Sequence, residues 1–220
     1  MPADDKTQEP VTQEPGTKES GKTTLVIACG AIAHELVAVI DANNFNHIDI
    51  QCLPAEWHNT PDKIAPAVEE LLSTRLPDYE SGYVAYADCG TGGHLDAVIE
   101  KYGVERLPGA HCYAFFTGID AFNALAEDEL GTFFLTDYLA LNFDRLIYRG
   151  LGIDRYPELM STYFGHYKRM LYLAQFDNPD ALSAAHEAAA SLKLPLTVHR
   201  TGLEPFESAL AGIPVRVQNA

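Results

Sequence analysis

The sequence has no run of eighteen apolar residues, and so nothing that would serve as a membrane-spanning helix. It is also poor in bases. Fifteen Lys and Arg stand against 31 Asp and Glu, a formal net charge of −16. A surface that acidic repels phosphate backbones and anionic headgroups. That argues against nucleic acid or a membrane as partner and leaves a small-molecule substrate open. Cysteines are few, four in 220 residues, and no two are spaced as Cys-x-x-Cys. The first 22 residues hold no apolar leader segment. These absences predict a reducing, cytoplasmic setting, where neighbouring thiols serve metal binding or catalysis rather than permanent disulfides.

What is present begins with a polar stretch. Residues 1–22 are rich in Pro, Glu, Thr and Lys and read as a disordered extension. At its end, "GTKESGKT" (residues 16–23) satisfies the phosphate-loop pattern G-x-x-x-x-G-K-T. That loop works only between a preceding strand and a following helix, where backbone N–H groups face the phosphates. Here a polar stretch precedes it and the apolar run "TLVIACG" follows, so nucleotide binding is not expected there. With 47 % of the chain hydrophobic, residues 23–220 suffice for a single α/β domain, or for two similar α/β halves.

Short β-rich runs alternate with helical patterns over that region. Strands are predicted at residues 25–29, 47–53, 83–88, 131–135, 170–175 and 196–200, with a weaker one before His111. Helices are predicted at 32–42, 62–75, 94–102, 113–126, 137–148, 157–168 and 178–192. Thr60-Pro61 and Asn178-Pro179 carry N-cap chemistry, and Pro66 predicts a short turn ahead of the helix proper. Alternation of this kind implies a mostly parallel sheet with helices on both faces, a Rossmann-like three-layer α/β fold. Ligands of such sheets bind at the strand C-terminal edge.

Two segments repeat one pattern at that edge. "LVIACGAIAHEL" and "YVAYADCGTGGHL" each run from apolar strand to Cys-Gly, and each reaches a histidine five residues after its cysteine. Cys112 ends the weaker run and opens "YAFFTG", while His58 sits at another strand-to-helix crossing in "CLPAEWHNTP". Cys29, Cys89, Cys112 and His58 are therefore candidate ligands of a zinc ion or an iron–sulfur cluster. The glycines after the cysteines, Gly30 and Gly90, let backbone approach the bound group, and Thr91 and Gly92 extend the same turn. Glu35, Asp88 and His58 are the candidate proton-handling or supporting groups. Two other readings stay open at this point. Buried free cysteines often only pack, and Cys89 at a helix start could be a metal-free nucleophile with His58, His94 or His111 as base. Cys52 is a reserve ligand. The aromatic run from Tyr138 to Tyr167 reads as a lid over a flat cofactor, as core, or as a subunit interface that would make the chain a homo-oligomer.

Taken in order, "CGAIAHEL", "CLPAEWHNTP", "YADCGTGG", "HCYAFFTG", "GTFFLTDYLALNFDRLI" and "YLAQFDNPD" resemble the bacterial and archaeal domain-of-unknown-function family DUF1638, over residues 24–210. The family's recurring positions fall here on Cys29-Gly30, Glu35, His58, Pro61, Cys89-Gly90, Gly92 and Cys112. Members often stand beside corrinoid-dependent methyltransferases. The resemblance thus implies a role in corrinoid-linked methyl transfer or in methylated-amine and one-carbon metabolism, with a corrinoid protein or methyltransferase as partner. The long polar N-terminus and Cys52 depart from the simplest family pattern.

Overall fold

The computed structural model describes residues 23–128, 130–210 and 213. The polar extension and all but the last residue of the phosphate-loop pattern lie outside them. The predicted parallel α/β architecture is present, divided over two sheets rather than gathered in one. The first sheet contains β1 (Thr24–Cys29), β2 (Ile48–Leu53), β3 (Ser81–Ala85) and the short β4 (Glu105–Arg106), in the order β2-β1-β3-β4. The second contains β5 (Thr132–Thr136), β6 (Arg169–Ala174) and β7 (Leu196–Arg200), in sequence order. Every pairing is parallel.

Burial follows position in the sheet. All six residues of β1 are buried because strands flank it and helices cover its faces, so it reads as a continuous apolar run. β2 and β7 stand at edges and are far more exposed. Around the first sheet lie α1 (Ala33–Asn43), α2 (Ile64–Arg75) and α3 (His94–Tyr102). α4 (Tyr113–Thr117) and α5 (Ile119–Asp128) lead to the second sheet, which carries α6 (Asp137–Leu141), α7 (Leu159–Phe164) and α8 (Pro179–Leu192). On α8, Ala181, Ala185, Ala188 and Ala189 recur at helical spacing and are buried, so the helix lies close on the sheet. Asn178 caps α8 as predicted, its side-chain oxygen accepting from the N–H groups of Asp180 and Ala181. Thr60 makes no such cap; Pro61 instead starts a single helical turn, and α2 begins at Ile64 with Pro66 in its first turn, where no N–H is missed.

Three other expectations shift. The predicted helix 113–126 breaks at Gly118, whose φ of +83° no helix accommodates. The helix expected over 137–148 is a short α6 followed by a wider π-type turn, Asp144–Tyr148. β3 starts two residues early and ends at Ala85, leaving Tyr86–Asp88 as extended chain beyond the ladder.

Each sheet has its own apolar cluster. The last helix, α9 (Glu204–Leu210), was not anticipated. It leaves the second sheet and returns to the first cluster, where Phe206 is fully buried and stacks on Phe116 at 5.5 Å between ring centroids. The Phe206→Ala substitution should therefore cost about 3–5 kcal/mol of unfolding free energy in urea titration, the usual range for emptying a buried aromatic site. A cost under about 1 kcal/mol, the level of ordinary surface changes, would mean that α9 does not seal that cluster.

Candidate functional site

The strand order fixes where a site can form. From β1 the chain leaves toward β2 on one side, and from β3 it leaves toward β4 on the other. The two connections diverge between the ends of β1 and β3, and in open α/β sheets such a switch point is where the ligand crevice lies. Cys29 ends β1, and Cys89 lies four residues past the end of β3.

The turn after β3 is built around Asp88. Its carboxylate accepts from the Thr91 hydroxyl at 2.9 Å and from the N–H groups of Gly90, Gly92 and Gly93 at 3.1–3.4 Å. Partial burial works against its charge, but the bonds from Gly93, Thr91, Gly92 and Gly90 prevail and hold its pKa below the usual value. Asp88 is thus committed to shaping the loop, and it supports the site rather than acting as a free base. The backbone there is left-handed at Cys89 (φ +47°), Gly90 (+83°) and Gly92 (+62°). For a cysteine that conformation is uncommon and strained. Gly30 has another reason to be glycine: a Cβ there would stand 3.1 Å from the Leu53 carbonyl. Gly30, Gly90, Thr91 and Gly92 are therefore all accounted for as parts of the frame.

Two backbone bonds, Asp88 N–H to the Gly109 carbonyl and Cys89 N–H to that of Ala110, hold this turn beside the segment that ends in Cys112. The Cys89 and Cys112 sulfurs lie 3.2 Å apart. Cys29 accepts the Ala31 N–H at 3.4 Å and caps its own helical turn. Burial, and the nearby Cys112 next, push the Cys29 thiol up to about 12. Contact with Cys89 and then burial raise Cys112 well above an ordinary thiol. Between them sits Tyr86, a residue the sequence reading passed over. Its hydroxyl is buried without a well-formed hydrogen bond, and the ionisable groups that surround it are Cys29, Cys112 and Cys89.

The three predicted thiols are thus brought together, with imidazoles at the mouth. His58 and His111 reach solvent, yet desolvation lowers the pKa of each, and the nearby His58 lowers that of His111 further. His94 is exposed at the start of α3, and His34 packs its ring on Phe176 at 4.6 Å. Cys52 is exposed on the edge strand β2. Among the described residues no three His, Cys, Asp or Glu side chains already stand as a ready ligand set for a metal ion. The donor chemistry nevertheless suits a thiophilic cation, with soft sulfur from three loops and nitrogen at the rim. Sulfurs sharing one tetrahedral zinc lie about 3.8 Å apart given Zn–S bonds of about 2.3 Å, a little wider than the pair here.

Glu35, on α1, is 1 % exposed, and its Oε2 has no hydrogen-bond partner among the described residues. Burial, assisted by the charge of Asp137, raises its pKa to about 7. Asp137 starts α6 at the C-terminal end of β5, so the second sheet directs its own strand ends at the first half. It accepts the Tyr172 hydroxyl at 2.6 Å and the N–H groups of Gln175 and Phe176. Nearby, the Asn59 side chain donates to the Leu146 carbonyl at 2.8 Å, and Arg145 pairs with Glu56 at 3.5 Å, tying the two halves along the crevice. Of the aromatic run, Phe143, Tyr148, Phe164 and Tyr167 pack in or against the second core, while Tyr156 and Tyr163 are exposed.

Fold and site together define a parallel α/β protein of two sheets, with a thiol and imidazole crevice at the switch point of the first. Within that class the chain belongs to the family described as Protein of unknown function (DUF1638), which it matches over residues 52–210. The match takes in His58, Cys89 and Cys112 and begins after Cys29, Gly30 and Glu35, a later start than the motifs implied. No curated protein and no solved structure matches the chain. No helix among the described residues is long and apolar enough to cross a membrane.

The state of Glu35 is measurable through stability. A carboxyl whose pKa is raised on folding leaves stability intact below the unfolded-state value and removes it as pH rises toward the folded one. Between pH 4 and pH 8 the parent should lose up to about 3 kcal/mol relative to Glu35→Gln, from a shift of about 2.5 pH units. Urea titrations of both proteins across that range check it. A difference that stays constant with pH would mean that Glu35 titrates as an exposed carboxyl.

Proposed function

We propose that the crevice is a thiolate metal centre in a cytoplasmic enzyme or accessory factor. Cys29, Cys89 and Cys112 would hold a zinc ion or an iron–sulfur cluster, and His58 would act as fourth ligand or base. The observation that carries this reading is convergence. Cysteines from three separate loops meet at one switch point, two of them with sulfurs 3.2 Å apart. A bound cation would supply Lewis acidity to whatever entered the remaining position.

The protein's own groups have distinct tasks in this reading. Cys29 and Cys112, whose thiols burial and neighbouring sulfur hold protonated at rest, would give up their protons on loading, so binding releases protons. His58 and His111, kept neutral by desolvation, offer lone pairs at the mouth. Glu35, with a pKa near 7, can hold or release a proton at neutral pH. Asp88 keeps the turn in shape. The family resemblance alone supports the setting, which is corrinoid-linked methyl transfer or methylated-amine and one-carbon metabolism, with a corrinoid protein or methyltransferase as partner.

A second reading, a metal-free thiol enzyme with Cys89 as nucleophile, draws on the strained backbone of Cys89 and the two imidazoles nearby. One experiment separates the two. Protein purified anaerobically should carry close to one equivalent of zinc, or the iron of one cluster, with protons released on reloading after chelation. Cys89→Ser and Cys112→Ser should each lose most of that metal while keeping the parent's circular dichroism. Less than about a tenth of an equivalent after reloading, far below what a tight site retains, would overturn the metal reading. Selective alkylation of Cys89 in the same protein would then favour the nucleophile.

A further inference from the structure

Cys89 and Cys112 meet because the backbone brings them together. The turn that carries Cys89 is pinned to the 109–110 segment by N–H···O=C bonds of 3.1 and 2.9 Å from Asp88 and Cys89. Asp88 then fixes the turn from within through four hydrogen bonds. The sulfurs are left 3.2 Å apart with nothing between them. A disulfide requires about 2.05 Å, so closure asks for a movement of about 1.2 Å at two side-chain ends. The other two cysteines are placed differently. The Cys29 sulfur accepts an N–H from its own helical turn, and Cys52 stands exposed on the edge strand.

We propose that Cys89 and Cys112 form a redox-active dithiol that closes to an intramolecular disulfide by exchange with a low-molecular-weight disulfide, RSSR. In the first step one cysteine, as thiolate, attacks a sulfur of RSSR. The RS–SR bond breaks, and RS⁻ departs with the electron pair and takes up the proton the cysteine gave up. In the second step the neighbouring cysteine, as thiolate, attacks the protein sulfur of the mixed disulfide. The Cys89–Cys112 bond forms and the second RS⁻ leaves, again to be protonated. Two cysteines are oxidised by two electrons in all, and one RSSR is reduced to two RSH. A dithiol of this kind suits a reducing compartment, where disulfides are transient and redox-linked. Closure would occupy two of the three thiols at the crevice and fasten the glycine turn to its neighbour. The pairing does not depend on the metal reading and is detected by a different measurement.

The full chain, reduced, treated with chelator and freed of reductant, is incubated with oxidised glutathione at mildly alkaline pH. It is then alkylated and digested without reductant for mass spectrometry. The expected product is a Cys89–Cys112 cross-linked peptide, with the protein lighter by two hydrogen atoms and Cys29 and Cys52 alkylated. In Cys112→Ser no cross-link to Cys89 should form, while labelling of Cys52 is unchanged. Should that variant fail to fold, the map of the parent chain decides alone. Four alkylated thiols, a stable glutathione adduct on Cys89 or Cys112, or a link made through Cys29 or Cys52 would each overturn the proposal.

Discussion

Everything at the candidate site depends on the chain parting in two directions at the ends of β1 and β3. Because β1 is the start of the sheet and β2 and β3 pair on opposite sides of it, the segments after β1 and β3 cannot fill the space between them. Right-handed crossovers in parallel sheets make this divergence obligatory once the strand order is set. The crevice therefore needs no special loop to create it. What the sequence adds is chemistry at its lips: a cysteine that caps its own helical turn on one side, and a strained Cys-Gly turn on the other.

The electrostatics of the crevice are those of a dry site at rest. Desolvation is the largest influence on Cys29 and on Glu35, and it contributes at Cys112. It favours the neutral form of each, because an unpaired buried charge costs more than its neighbours can return. Asp88 shows the opposite balance a few atoms away. Three backbone N–H groups and a hydroxyl outweigh its loss of water, and it stays ionised. Neutral sulfur thus sits beside a fixed anion, while the Tyr86 hydroxyl and the Glu35 Oε2 have no well-formed hydrogen bond among the described residues. Buried polar atoms are satisfied in the great majority of cases, so these exceptions, one among the thiols and one facing Asp137, are unusual.

Much of this was legible in the sequence, for identifiable reasons. Continuous apolar runs ending in Cys-Gly locate β1 and the turn after β3, and the sheet-edge rule then places Cys29, Cys89 and Cys112 in one neighbourhood. Division into two sheets was not legible, since apolar runs in parallel strands look alike whichever neighbour they pair with. α9 escaped because "EPFESAL" is short and its two buried anchors, Phe206 and Leu210, make only one helical repeat. Asp88 looked like a catalytic candidate from its position beside Cys89. Only the positions of the N–H groups of Gly90, Gly92 and Gly93 reveal it as the organiser of the turn. Tyr86 could have been suspected, because a tyrosine three residues before a site cysteine at the end of a strand carries a hydroxyl into the same region.

Among the described residues the chain passes between the two sheets twice, once through the Gly118 break and once along the segment from Thr201 to α9, whose Phe206 is anchored in the first core. A body joined to another at one point can swing freely, whereas each added attachment removes a direction of swing. Here the two covalent crossings are joined by side-chain ties, Asn59 to the Leu146 carbonyl and Arg145 to Glu56, so the halves are braced at more than the two crossings. That bracing keeps Glu35 on the first half facing Asp137 on the second, while the thiols are all carried by the first half.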